Sequence, residues 1–126
     1  MANINDSDIL ITQTNDFIFL DLECGYGQPS TTTIYLKKND HTTEKLHSFD
    51  NNTSKLKVGS NANLKYNAIE VHTTIHDVND NPSEMTDISL KVKVYESDSI
   101  LVKTEFTRKT TGKGDIFHSF YLITIL

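Results

Sequence analysis

The 126-residue sequence has no tryptophan, one cysteine and two prolines. Because Cys24 is alone, no disulfide can form within the chain, which is typical of a reducing compartment. No stretch approaches the roughly 18 apolar residues that a membrane-spanning helix needs. The start, "MANINDSDIL", has neither the basic nor the apolar region of a secretory signal peptide. We therefore expect a cytoplasmic protein that does not bind or enter a membrane.

The chain also has fewer basic than acidic residues. The chain has 12 Lys and Arg against 17 Asp and Glu, which gives a formal net charge of −5. The basic residues are scattered rather than clustered, so the sequence carries no electrostatic footprint for nucleic acid. The length is that of one domain, and we expect residues 1–126 to fold around a single core.

Alternation of apolar and polar residues is the strongest pattern present, and a helical period is hard to find. In "DISLKVKVYE" one face carries Ile88, Leu90, Val92 and Val94, and the other carries Ser89, Lys91, Lys93 and Tyr95. In "AIEVHTTIHD" one face carries Ile69, Val71, Thr73 and Ile75. In "ILVKTEFTR" one face carries Ile100, Val102 and Phe106. Such alternation predicts half-buried β-strands.

Further strand candidates are "DFIFLDLEC", "TTIYLKK", "TEKLHSF", "NLKYN" from residue 63 and the last long run "DIFHSFYLITIL", with a weaker candidate at "DILIT" from residue 8. Turn-forming residues separate them, including the stretches at 50–54 and 58–63. Many short strands without an intervening amphipathic helix predict an all-β fold. The expected architecture is an antiparallel β-sandwich of about eight strands, with a small β-barrel as the alternative.

The sequence "DVNDNP" at 77–82 resembles the Asp-x-Asn-Asp-Asn linker motif of cadherin repeats. In that family the motif binds calcium between consecutive domains. The resemblance covers six residues and implies calcium ligands at Asp77, Asn79, Asp80 and Asn81. Folding of the same loop on itself would bring the carboxylates of Glu84 and Asp87 into the set.

A polar turn explains the same loop without a metal. Asp and Asn tolerate left-handed backbone geometry, and Pro82 fixes φ, so the segment suits a connection between two strands. Only 44 residues follow Pro82, and no acidic companion motif accompanies it. An EF-hand is excluded because its twelfth position, Ile88, needs a bidentate Glu. The turn is therefore favoured, and no metal or other cofactor is expected.

Other chemical motifs are weak. His72 and His76 have an H-x3-H spacing, but on a strand they stand about 13 Å apart at roughly 3.3 Å per residue, too far to share one ion. If their strand pairs with the one that follows, they lie on a solvated face beside Lys91 and Lys93, with Glu70 as the complementary charge. Cys24 follows an apolar run and fits a small buried side chain better than a nucleophile. We expect no enzyme activity.

The final run, "IFHSFYLITIL", is apolar on both faces. One parity carries Ile116, Phe120 and Leu122, and the other carries Phe117, Tyr121, Ile123 and Ile125. One interpretation is a central strand covered by the sandwich on one side and by a loop on the other. The alternative is that the second face meets another chain. We assign partner binding to the second set, Phe117, Tyr121, Ile123 and Ile125.

These observations favour a non-catalytic structural or adaptor subunit. It would bind a protein partner, or self-associate, through sheet edges and loops within a larger assembly. The alternative is a calcium- or carbohydrate-binding β-sandwich module that uses the Asp- and Asn-rich loop 77–87. The absence of tryptophan weakens the carbohydrate version, because sugar-binding surfaces often stack aromatic rings.

The first prediction concerns calcium. We expect millimolar Ca²⁺ to leave the melting temperature unchanged relative to EGTA, because the companion motifs are missing. Binding at a hundred times the dissociation constant would add about 2.7 kcal/mol to the free energy of unfolding. A rise of several degrees that disappears in Asp77→Ala and Asp80→Ala would establish a calcium site at this loop.

Overall fold

The computed structural model describes residues 2–10, 17–25, 29–76, 88–96, 99–108 and 116–126. The elements in these ranges are β1 (Ala2–Leu10), β2 (Phe17–Gly25), β3 (Ser30–Lys37), β4 (Thr43–Asp50), β5 (Thr53–Ser60), α1 (Asn61–Leu64), β6 (Ala68–His76), β7 (Ile88–Glu96), β8 (Ser99–Arg108) and β9 (Ile116–Ile125). The predicted all-β class is confirmed.

The strands form two sheets that pack as a sandwich. The five-stranded sheet has the order β1-β9-β6-β3-β4, and the four-stranded sheet has the order β5-β2-β7-β8. Neighbours are antiparallel except for β1 and β9, which run parallel. The sheets do not close on each other, so the barrel alternative is wrong. The described residues contain nine strands, one more than the predicted eight.

The segment between β4 and β6 differs from the prediction. Residues 53–60 form β5 rather than parts of two turns, and "NLKYN" is not a strand, because its first two residues end α1 and a turn follows. Alternation along β5 is broken by Lys55, whose φ of 52° lies in the left-handed region. Across the described ranges, no helix has the length and apolar character needed to span a membrane.

The first strand is also placed differently. The sequence indicates a weak strand beginning at Asp8, whereas β1 covers Ala2–Leu10. Its residues pair one for one with Phe117–Ile125 of β9. Residues 2–8 are mostly polar, and the alternation begun by Ala2 and Ile4 is interrupted at Asp6 and Asp8. The pairing with β9 is therefore a tertiary effect that local pattern does not reveal.

The core lies between the inner faces of the two sheets. Its buried apolar side chains are Ile18, Leu20, Leu22, Ile34, Leu36, Val58, Leu64, Ile69, Val71, Ile75, Leu90, Val92, Val94, Phe117, Tyr121, Ile123 and Ile125. The predicted inner faces of β6 and β7 are confirmed for these members. Thr32 and Thr73 are buried among them, and their hydroxyl oxygens are 3.0 Å apart. This hydrogen bond offsets the cost of placing two polar groups in the core.

β6 and β7 do not pair, so the condition for placing His72 and His76 beside Lys91 and Lys93 is not met. β6 lies between β3 and β9 in one sheet, and β7 lies between β2 and β8 in the other. Lys91 and Lys93 are therefore on a different sheet from His72. The connection 77–87 lies outside the described residues. The charge that does stand beside His72 is Glu70, as predicted.

The up-and-down course of the chain gives the sandwich two distinct ends. Odd-numbered strands finish and even-numbered strands begin at the end where α1 lies, which we call the α1 end. This end includes the last residues of β1 and β9 and the first residues of β2 and β8. The opposite end, which we call the far end, includes Ser30, Asn51 and His76.

The second prediction tests the core assignment. Val92 is completely buried, so Val92→Ala should lower the free energy of unfolding by about 1 to 3 kcal/mol, because two methyl groups leave a packed site. Lys91, its neighbour on the outer face, serves as the control, and Lys91→Ala should change stability by no more than about 0.5 kcal/mol. Urea melts of both variants measure this. Equal losses would mean that the two faces of β7 have been interchanged.

Candidate functional site

The four β9 residues assigned to partner binding lie in the core of the chain. Phe117, Tyr121, Ile123 and Ile125 are at most 2% exposed. Pairing with β6 sets Tyr121 opposite Val71, which faces the other sheet. Their assignment to the less buried face of β9 is therefore wrong. Lysine at Tyr121 or Ile123 would disrupt folding, so neither position can report on association.

The opposite face of β9 is half-buried and is covered in part by neighbouring side chains of its own sheet. The His72 ring meets the Phe120 ring edge-on, with centroids 4.7 Å apart, and meets Tyr35 in the same way at 5.0 Å. Glu70 is almost buried beside them, with Oε2 3.3 Å from His72 Nε2. This cross-strand cluster explains why both parities of β9 are apolar.

The candidate calcium ligands Asp77, Asn79, Asp80 and Asp87 lie outside the described residues. Within the described ranges, no group of three His, Cys, Asp or Glu side chains is arranged to hold a metal ion. Cys24 is half-buried and packs against the core, as the sequence indicates. Burial raises the pKa of its thiol, and Glu23 adds to the rise, although Ser30 opposes it. The thiol is thus protonated at neutral pH.

Exposed apolar side chains are concentrated at the α1 end. The large hydrophobic side chains that are exposed in the described part of the chain are Ile9 (66%), Tyr66 (64%), Ile100 (55%), Leu126 (42%) and Phe17 (41%). All five belong to the α1 end, by strand position or by the turn after α1. Single exposed hydrophobics are ordinary on protein surfaces, but their restriction to one end marks that end as a candidate interface.

A cavity of about 360 Å³ opens at the same end, between β3, β4, β5 and α1. Its apolar wall is formed by Leu36, Leu46, Val58 and Leu64, and its polar wall includes Lys38 and Glu44, which form an ion pair at 3.7 Å. Gly59 allows this packing, because a Cβ there would lie 3.3 Å from the Leu64 side chain. The α1 end therefore offers both projecting apolar groups and an apolar recess.

Sequence reasoning missed the exposure of Ile100. Simple alternation puts Ile100 on the same face as Val102, but the register with β7 shifts between Val94 and Tyr95. Val102 stands opposite Val94, whereas Ile100 stands opposite Tyr95, whose neighbours in register are on the outer face. The extra residue on β8 is a β-bulge, which re-aims a side chain. No local signal in "ILVKTEFTR" identifies this bulge.

A polar cleft of about 320 Å³ lies on the outer face of the four-stranded sheet. It is lined by Asp21, Leu22, Glu23, Asn52, Thr53, Ser54, Lys91 and Lys93. Register sets Lys93 opposite Asp21 and Lys91 opposite Glu23, so opposite charges are paired across the strands. The cleft thus offers ammonium, hydroxyl, amide and carboxylate groups to a small polar ligand.

Asp21, on β2, is hydrogen-bonded to residues of both neighbouring strands, β5 and β7. The Tyr95 hydroxyl donates to Asp21 Oδ2 at 2.6 Å, and the Lys55 amide donates to Asp21 Oδ1 at 2.6 Å. The Lys55 ammonium lies 3.5 Å above the centre of the Tyr95 ring. Because both carboxylate oxygens accept an internal hydrogen bond, Asp21 fixes the left-handed bulge of β5 to the sheet.

The hydrogen bonds also displace the pKa values of this pair. Partial burial acts to raise the pKa of Asp21, but the bonds from Tyr95 and Lys55 and the charges of Lys55 and Lys93 outweigh it, and the pKa is lowered. The hydrogen bond to Asp21, with some desolvation, raises the pKa of Tyr95. The carboxylate and the neutral phenol are therefore both stabilised by folding.

The third prediction concerns pH. Asp21 has a lowered pKa in the folded state, so its stabilising contribution is present above the unfolded pKa of about 3.9 and is lost as pH falls through the folded value. Asp21→Asn should cost about 1 kcal/mol at pH 7, discounted for partial exposure, and the difference from wild type should shrink below pH 4. Thermal melts from pH 7 to pH 2.5 measure it.

Glu23→Gln is the matched control, because it removes the same charge from an exposed side chain two residues along β2. Its effect at pH 7 should be smaller than that of Asp21→Asn. An Asp21→Asn penalty that stays constant down to pH 2.5 would contradict the role of the ionised carboxylate.

No protein family model, curated protein or solved structure matches this chain. The functional inference therefore depends on the geometry of the described residues.

Proposed function

We propose that the protein is a non-catalytic structural or adaptor subunit that binds protein partners, including copies of itself, through its α1 end and the adjoining sheet edges. The observation that carries this proposal is the concentration of Ile9, Phe17, Tyr66, Ile100 and Leu126 at one end. Burying apolar surface is the main driving force of protein association. An end that presents five such groups gains more from a partner than the rest of the surface formed by the described residues.

The edge strands on the two sides of the sandwich also support association with another chain. On one side, His47 Nε2 donates to the carbonyl oxygen of Lys57 at 2.9 Å and ties the edge strand β4 to the edge strand β5. On the other side, the edge strands β1 and β8 carry the exposed Ile9 and Ile100. A satisfied edge carbonyl discourages strand addition, and an exposed apolar edge favours contact with another chain.

Carbohydrate binding is the second candidate function, and the polar cleft favours it by size, since about 320 Å³ is within the range of small-ligand sites. Tyr95 bonds Asp21 of the cleft wall through its hydroxyl. Tyr95 is only 7% exposed, and the Lys55 ammonium covers its ring. It therefore offers no face on which a sugar ring can stack, and protein binding is the better supported function.

The fourth prediction tests the α1 end. The double variant Ile9→Lys/Ile100→Lys should weaken self-association at least tenfold. A tenfold change in the dissociation constant corresponds to about 1.4 kcal/mol, which is less than the burial of one such side chain contributes. Both side chains are exposed, so the free energy of unfolding should change by no more than about 0.5 kcal/mol per substitution. Light scattering and sedimentation velocity over a concentration series measure the association.

The control double variant is Thr31→Lys/His76→Lys, which adds the same formal charge at exposed positions of the far end. It should associate as the wild type does. Equal weakening in both double variants would mean that net charge, not the α1 end, controls association. A wild-type chain that stays monomeric at every concentration would contradict self-association.

A further inference from the structure

The strand β1 pairs with β9 and covers one of its two edges. Its nine residues pair in unbroken parallel register with Phe117–Ile125, and it touches β8 slightly. On its other side, β9 pairs with β6. Without β1, the last strand of the core would expose a full row of backbone amide and carbonyl groups. Such an edge is a template for pairing with another strand.

The sequence of β1 is poorly suited to this place. Four of its nine residues, in "ANINDSDIL", are Asn or Asp, which are depleted in strands. Asp6 and Asp8 stand in register with Tyr121 and Ile123, whose side chains are buried. Ala2, Ile4 and Leu10 share their parity, in register with Phe117, Ser119 and Ile125. Because Asn and Asp give β1 a weak strand propensity, we expect a low cost of opening for this strand.

The strand that fits the opened edge of β9 best is another copy of the same segment. It brings the same residues in the same register, so no new interface has to be built. Heterologous strands would have to match nine register positions without this identity. The exposed hydrophobic residues near the end of β1 and at the start of β2 also favour a second copy of the chain as the partner.

The connection from β1 to β2 consists of residues 11–16, and an exposed hydrophobic residue lies close to each side of it: Ile9 at 66% and Phe17 at 41%. Six residues span about 20 Å at most. In an exchanged pair, the two connections must cross between the chains at the α1 end. The residues beside them then lie against the other copy and lose contact with water, which is the change that apolar side chains favour.

We propose that two copies of the chain exchange β1, so that Ala2–Leu10 of each copy pairs in parallel with β9 of the other in the register found within one chain. This proposal rests on the proposed self-association and names the segment that produces it. The exchange restores every main-chain hydrogen bond of the closed monomer. It adds the burial of Ile9 and Phe17.

The fifth prediction is a disulfide between chains. Ser7 and Leu122 are register partners in neighbouring strands, where Cα atoms lie about 4.8 Å apart, within the range that a disulfide spans. In a Cys24→Ala background, one chain carries Ser7→Cys and a second, tagged chain carries Leu122→Cys. The two are unfolded in urea, refolded together at a concentration where light scattering finds dimers, and oxidised. The expected product is a covalent heterodimer on a non-reducing gel, absent after reduction.

The matched control replaces Leu122→Cys with Thr33→Cys, which lies on β3, three strands away from β1 in the same sheet. This pair should give no heterodimer above chance oxidation. A single chain with both Ser7→Cys and Leu122→Cys, diluted until monomeric, should form an internal disulfide, which verifies that the two positions react.

The proposal is overturned if the chains associate but the Ser7→Cys and Leu122→Cys mixture yields no more heterodimer than the Thr33→Cys control. Self-association would then use the α1 end without strand exchange, and the proposed function would stand. A mixture that contains only monomers at every concentration would overturn the exchange and the self-association together.

Discussion

Burial of one face of each strand is the constraint on which the fold depends. In β2, β6 and β7 the side chains of one parity are mainly apolar, and these faces meet between the sheets in one core. A slip of one residue in any of them would move Leu20, Val71 or Val92 to the surface and bring charged neighbours inside. Register is therefore specified strongly in the centre of both sheets. It is specified weakly where a strand lacks this pattern, as β1 does.

Two of the register shifts between neighbouring strands give the surface its special features. A bulge in β8 moves Ile100 to the outer face. A bulge in β5 puts Lys55 in the left-handed region and turns its amide toward Asp21. Each inserts an extra residue that the core does not require. The core tolerates such insertions near edge strands, because fewer neighbours depend on their register.

The same contrast explains what the sequence could predict. The inner faces of β6 and β7 follow from their alternation, because Ile69, Val71 and Ile75 in β6 and Leu90, Val92 and Val94 in β7 recur at every second or fourth position. In β9 both parities are apolar, so composition alone cannot decide between Tyr121 and Phe120. Pairing with β6 decides it, and this is a long-range property. Other features also depend on contacts between residues that are distant in sequence. They are the strand neighbours of β6, the bulge at Ile100, the parallel pairing of β1 and the hydrogen bond from Tyr95 to Asp21.

Assembly through the α1 end is consistent with how the molecule protects its edges. The β4 and β5 side is closed by the His47 hydrogen bond, and β4 is mostly polar and exposed. On the β1 and β8 side, Asp6 and Asp8 interrupt the apolar alternation of β1, and Ile9 and Ile100 are in contact with water. Selection against aggregation normally removes exposed apolar groups beside a weak edge strand. Exposed apolar groups on the β1 and β8 side suit a chain that pairs with a neighbour there. The protected β4 and β5 side of the same chain would stay closed to other strands.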